Sequence, residues 1–137
     1  MPSFSYTAIS KVGKHTKGAA NTIDRIIDVF PPEQQEQIRI QLADVLECAI
    51  TKALLPKIGG GRVPAYEILV ATPAVRSLIR QNKSFQITSA MQTGRAQGMQ
   101  LLDDALAQLV RKGQVSLENA LATANDPDVL RAQFRRY

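Results

Sequence analysis

Ala74-Val75-Arg76-Ser77-Leu78-Ile79-Arg80-Gln81, entered through Thr72-Pro73, is the stretch on which the reading of this chain turns. Thr72 has the hydroxyl of a helix N-cap, and Pro73 fits the first helical position, where no backbone N–H is needed. Val75, Leu78 and Ile79 fall on one face, and Arg76 and Arg80 are i, i+4 neighbours on another. The spacing predicts an amphipathic helix to about Arg80. Its face admits two readings: a core-packed helix with two solvated arginines, or a contact surface for a partner.

Working outward, residues 62–70 alternate, with Tyr66, Ile68 and Val70 on one face, and read as a strand. Gly59-Gly60-Gly61 supplies a hairpin-like turn, and Leu54-Leu55-Pro56-Lys57-Ile58 reads as a short strand before it. Upstream, Ile38, Leu42, Val45, Leu46, Ala49, Ile50 and Ala53 predict one long helix from about 33 to 53, with Cys48 buried in it. Ile23, Ile26, Ile27 and Phe30 predict a helix from Asn21 to the break at Pro31-Pro32. Downstream, helices are expected at about 84–92, from Met99 to Gly113, and from a Ser116 cap to Ala124. Asn125-Asp126-Pro127 reads as a turn, followed by a frayed helical tail with Arg131, Arg135 and Arg136. The expected class is helix-rich α/β, divided as a β segment over 1–18, two helices and a hairpin over 19–71, and a helical region over 72–137.

Seventeen Lys+Arg against twelve Asp+Glu leave +5 over 137 residues. That charge permits anionic partners, but with 5% aromatics and no nucleic-acid-binding signature, no nucleic acid is expected. A single cysteine rules out an internal disulfide and suits a reducing compartment. The first ten residues lack the charged start and apolar run of a secretory signal, and no run approaches the ~18 apolar residues of a membrane span. A cytoplasmic chain is the expectation, working in the cytoplasm or at the cytoplasmic face of the inner membrane.

The chemistry of phosphoryl transfer is hard to place. Gly13-Lys14 is the one Gly-Lys pair, but His15 follows it where Ser or Thr would bind Mg²⁺, and Ala8 occupies the first glycine position of a phosphate loop. Gly59-Gly60-Gly61 precedes Arg62 and reads as a turn. No apolar strand ends in paired acids. Asp103-Asp104 point about 100° apart on a helix and read as a solvated face. One Cys and one His are too few for a His/Cys zinc site. No catalytic residue, metal ligand or cofactor is assigned to the chain alone.

Several ordered blocks do resemble a known family. Thr22-Ile23-Asp24-Arg25-Ile26-Ile27-Asp28-Val29-Phe30-Pro31, Gly61-Arg62-Val63 through Glu67-Ile68, residues 74–81, Ala90-Met91-Gln92-Thr93-Gly94 and Gly98-Met99-Gln100 are similar to the C-terminal region of PilT-type ATPases, which retract type IV pili. In the 74–81 block, Val75, Ser77 and Gln81 stand where the family has Ile, Asn and Glu. The resemblance implies a RecA-like core continuing upstream, a hexameric ring, and ATP with Mg²⁺ in the intact family. It implies that His15 and Arg62 lie near the nucleotide and that Ala74, Val75, Arg76, Leu78, Ile79 and Arg80 form a retraction signature. For His15 an exposed loop histidine is the alternative, and for Arg62 a strand-edge charge.

Phe4, Tyr6, Ala8, Gly13-Lys14 and Gly18 instead resemble the start of a PilC-type inner-membrane platform protein. That implies a fusion joined near residues 14–18, with an unrelated N-terminal extension as the alternative. The expected function is a C-terminal fragment of a twitching-motility retraction ATPase, lacking Walker A and Walker B, that supplies contacts within a homo-oligomer or to full-length motor subunits. The alternative is a non-enzymatic module docking on motor or platform subunits.

Overall fold

A computed structural model describes residues 18–135. The strand expected over residues 4–9, the turn at 12–14, His15 and Arg136 lie outside them. Seven α-helices and a two-stranded sheet follow in the order α1 (Gly18–Asp28), α2 (Pro32–Val45), β1 (Cys48–Pro56), β2 (Arg62–Val70), α3 (Pro73–Arg80), α4 (Ile87–Thr93), α5 (Leu102–Arg111), α6 (Leu117–Thr123) and α7 (Pro127–Ala132). The helix-rich α/β class is therefore what the described residues adopt.

The long helix expected over 33–53 is two elements. α2 stops at Val45, and Leu46 is already extended at φ −66°, ψ 126°. Residues 48–56 then pair antiparallel with 62–70 in an unbroken register from Cys48–Val70 to Pro56–Arg62. The apolar spacing through Leu46, Ala49, Ile50 and Ala53 fits either period over so short a run, and ladder bonding to a nine-residue partner decides for strand. Consequently Cys48 is exposed on a strand, not buried in a helix. Val45 and Ile50 are exposed too.

The alternation expected in β2 is present with the opposite face inward. Ala65, Glu67 and Leu69 are buried, whereas Tyr66 is exposed and Ile68 and Val70 are half-buried. Gly59, Gly60 and Gly61, all at positive φ, make the turn, and Gly61 C=O accepts from Lys57 N–H at 2.9 Å. On the far edge of β2, Ile68 and Gln100 exchange both backbone hydrogen bonds, at 2.8 and 2.9 Å.

The hairpin's inner face spans two apolar clusters. Leu69 packs with Ile23 and Ile27 of α1, Ala43 of α2, Val75 and Ile79 of α3, Ile87 and Met91 of α4, and Met99. Leu55 and Ala65, nearer the tip, pack with Leu102, Leu106, Ala120 and Leu130 from the C-terminal helices and Val115 from the loop between α5 and α6. Each fully buried aliphatic side chain contributes roughly 1.5–3 kcal/mol.

Helix ends mostly follow the sequence signals. Thr72 Oγ1 accepts from Val75 N–H at 3.4 Å and Ser116 Oγ from Asn119 N–H at 3.1 Å. α5 begins at Leu102 rather than Met99, and a 3-10 turn, Ser84–Gln86, precedes α4. Asn125-Asp126-Pro127 does more than turn the chain: Asp126 caps α7 by accepting from Val129 N–H at 3.2 Å.

Candidate functional site

α3 carries the 74–81 block, and its two arginines are not free in solvent. α2 has no basic residue in its last turn, so its terminal carbonyls lack a local cation. Arg76 supplies one from across the fold. Its Nη1 donates to Ala43 C=O at 2.5 Å and Asp44 C=O at 3.1 Å, and its Nη2 lies 3.7 Å from the Glu47 carboxylate. Arg80 Nη2 donates to Asp44 Oδ1 at 2.6 Å. The arginines thus fasten α3 across the C-terminal end of α2. Arg76 is the more enclosed, with 21% of its side chain exposed against 43% for Arg80.

The rest of the block divides by depth. Val75 and Ile79 are fully buried, Leu78 is half-buried against the same cluster, and Ala74 and Arg80 face solvent. The outward surface of α3 is therefore polar. Arg62 lies elsewhere, exposed at the mouth of the hairpin opposite Pro56. The described residues do not bring Arg62 and α3 into one site, and His15 lies outside them.

A group that sequence reasoning left unused sits between the two clusters. Glu67, at 2% exposure, is the one buried charged residue among those described. Its Oε1 accepts from Ala19 N–H at 2.6 Å, and its Oε2 accepts from Leu102 N–H and Asn125 Nδ2, each at 3.1 Å. Two helix N-termini therefore face this carboxylate, which offsets the cost of burying it. Leu101, at the N-cap of α5, offers no side-chain acceptor; Glu67 does that work from β2. The alternation of β2 gives no sign of it, since Tyr66, Ile68 and Val70 are the more apolar set; a buried acid between Ala65 and Leu69 needs the partners that only the fold brings.

Asp103 and Asp104 are likewise more than a solvated face. Asp103 accepts from Asn125 and Asp126 N–H at 2.8 and 2.9 Å, holding the entry to α7, and Asp104 pairs with Arg95 at 2.8 Å. Arg95, Asp104, Gln108, Arg111 and Gln133 line an open cleft of about 520 Å³, which includes none of the 74–81 residues. Among the described residues, no group of three His, Cys, Asp or Glu could hold a metal ion, and no helix is long and apolar enough to cross a membrane.

The chain matches the C-terminal region of a pilus-retraction ATPase in sequence and in fold. In sequence, the chain is 51% identical over 114 residues to the type IV pilus retraction ATPase PilT of Pseudomonas aeruginosa, covering 83% of this chain and 33% of that one. It is 49% identical over 115 residues to a twitching motility protein of Neisseria gonorrhoeae, covering 83% and 31%. The crystal structure of the pilus retraction motor PilT with bound ADP superposes with a TM-score of 0.76 at 45% identity, covering 87% of this chain and 33% of that one. The chain spans about a third of the length of the relatives it matches. No protein-family model matches it.

Proposed function

We propose that this chain is the C-terminal part of a pilus-retraction ATPase, in which the helix bearing Arg76 and Arg80 joins the end of a RecA-like core to the helical C-terminal region. The observation that carries this is the near-50% identity to retraction and twitching-motility proteins over most of the chain. Continuity of the latch supports the assignment of α3 as a coupling element, since a displacement of α2 pulls directly on α3 through Arg76 and Arg80. In an intact motor of this kind, ATP and Mg²⁺ supply the energy, subunits form a hexamer in the cytoplasm, and His15 and Arg62 lie toward the nucleotide. The first 18 residues are read as a platform-protein-like segment joined to this part.

These residues contain no phosphate loop and no paired-acid strand. The purified chain is therefore expected to show no heat of binding when titrated with MgATP, yet to associate with full-length subunits of a PilT-type motor in analytical ultracentrifugation. Saturable Mg²⁺-dependent nucleotide binding by the chain alone would overturn the reading. Association with an inner-membrane platform protein but not with motor subunits would favour the docking-module alternative.

A further inference from the structure

The hairpin presents a second surface, unrelated to α3. Its outer face carries the cross-strand pairs Cys48–Val70, Ile50–Ile68, Lys52–Tyr66, Leu54–Pro64 and Pro56–Arg62. Ile50, Leu54 and Tyr66 stand exposed on it, and Ile58, 58% exposed, continues it into the turn. From Cys48 to Tyr66 no acidic residue occurs, while Lys52, Lys57 and Arg62 do. Ile58 N–H donates to Gln114 C=O at 2.8 Å, which sets the exposed Lys112 loop beside the same tip. None of the ion pairs among the described residues engages these four cations.

The shape narrows what such a surface fits. A Cβ placed on Gly59, Gly60 or Gly61 would meet nothing within 4 Å, so the tip projects from the body. The Ile58 backbone is nonetheless held at Gln114, and the turn is closed by Lys57 N–H to Gly61 C=O at 2.9 Å and Gly60 N–H to Lys57 C=O at 3.1 Å. A braced, convex tip bearing an exposed isoleucine and ringed by lysines does not form a groove for a folded partner. It matches a soft anionic plane: apolar side chains enter the acyl boundary while cations remain at the headgroups. A second copy of the same face is disfavoured by like charge. Duplex nucleic acid would leave Ile50, Leu54 and Ile58 without an apolar partner.

We propose that the hairpin tip, centred on Ile58 with Lys57, Arg62 and Lys112, docks the chain peripherally on an anionic lipid bilayer. Each cation near such a surface favours binding by about fivefold.

Co-sedimentation of the full chain with vesicles tests this, using phosphatidylcholine alone and phosphatidylcholine with about one third phosphatidylglycerol. Binding to the anionic vesicles is expected to exceed neutral binding by at least about tenfold and to weaken as salt rises. Lys57→Glu combined with Lys112→Glu should reduce it by about 25-fold or more. Ile58→Asp should reduce it at least about fivefold, since it removes apolar insertion and adds a repelled charge. Lys83→Glu, in the turn after α3, is the charge-reversal control away from the tip and should change binding less than about twofold. All four positions are exposed, so thermal midpoints should be unaltered. Equal binding to neutral vesicles, no binding to either, or wild-type binding by the tip variants each overturns the proposal. Full retention by Ile58→Asp with loss only in the lysine variants does so as well, leaving a generic basic surface.

Discussion

Arg76 and Arg80 look equivalent as letters four residues apart, yet their environments assign them different weights. Arg76 satisfies two terminal carbonyls of α2 from a mostly buried position, so its removal strands acceptors at a negative helix end. Arg76→Ala should therefore cost about 1–2 kcal/mol in urea unfolding. Arg80 makes a half-exposed pair with a side chain that water can otherwise solvate, and Arg80→Ala should cost less than about 1 kcal/mol. Equal costs would mean that the carbonyl contacts contribute nothing. The i, i+4 spacing of the arginines was legible, but their partners were not, because Ala43 and Asp44 lie more than thirty positions away. Glu67 shows the same limit: the alternation of its strand points it outward, and the helix starts that draw it inward, at Ala19 and Leu102, lie 48 and 35 positions away.

Elements were legible where a local signal dominates and illegible where pairing decides. Thr72-Pro73 and Ser116 fix helix starts by bonds within three residues, so both starts are legible in the sequence. The stretch after Val45 is a strand where its apolar spacing serves two periods, and only the partner strand 62–70 selects one. The inner face of that strand was inverted for a related reason: Tyr66, Ile68 and Val70 are the more apolar set, but burial of Glu67 by helix N-termini turns the other set inward. Gly94 stops α4 at a crowded place. A Cβ there would lie 2.7 Å from Met99 Sδ and 3.0 Å from its Cγ, although the φ of −92° suits any residue. Gly94→Ala should thus cost about 1–3 kcal/mol by overpacking rather than by backbone strain. Shortening Met99 to Ala should itself be costly but should remove most of the additional penalty of Gly94→Ala, a coupling readable in a double-mutant cycle by urea unfolding. Simple additivity would place the cost of Gly94 elsewhere.

At the scale of the molecule, the sheet is, among the described residues, the only element shared by both apolar clusters. β2 contributes Leu69 to one and Ala65 to the other, with Glu67 between them receiving N–H groups from α1 and α5. A two-stranded sheet has little stability of its own. Loss of either cluster therefore removes the support that holds the hairpin in the other, and it exposes a carboxylate whose burial depends on helices from both sides. The physical consequence is one cooperative unit rather than two. Ile79→Ala in the first cluster and Leu106→Ala in the second should each cost about 2–5 kcal/mol. Each should also accelerate amide exchange in α2 and α6 together, although each of those helices packs into only one cluster. Exchange confined to the mutated side, or a second transition in the far-ultraviolet circular dichroism melt, would show that Glu67 and the hairpin do not couple the two halves. In that case the route from α2 through α3 to the C-terminal helices would lack the rigidity needed to carry a displacement.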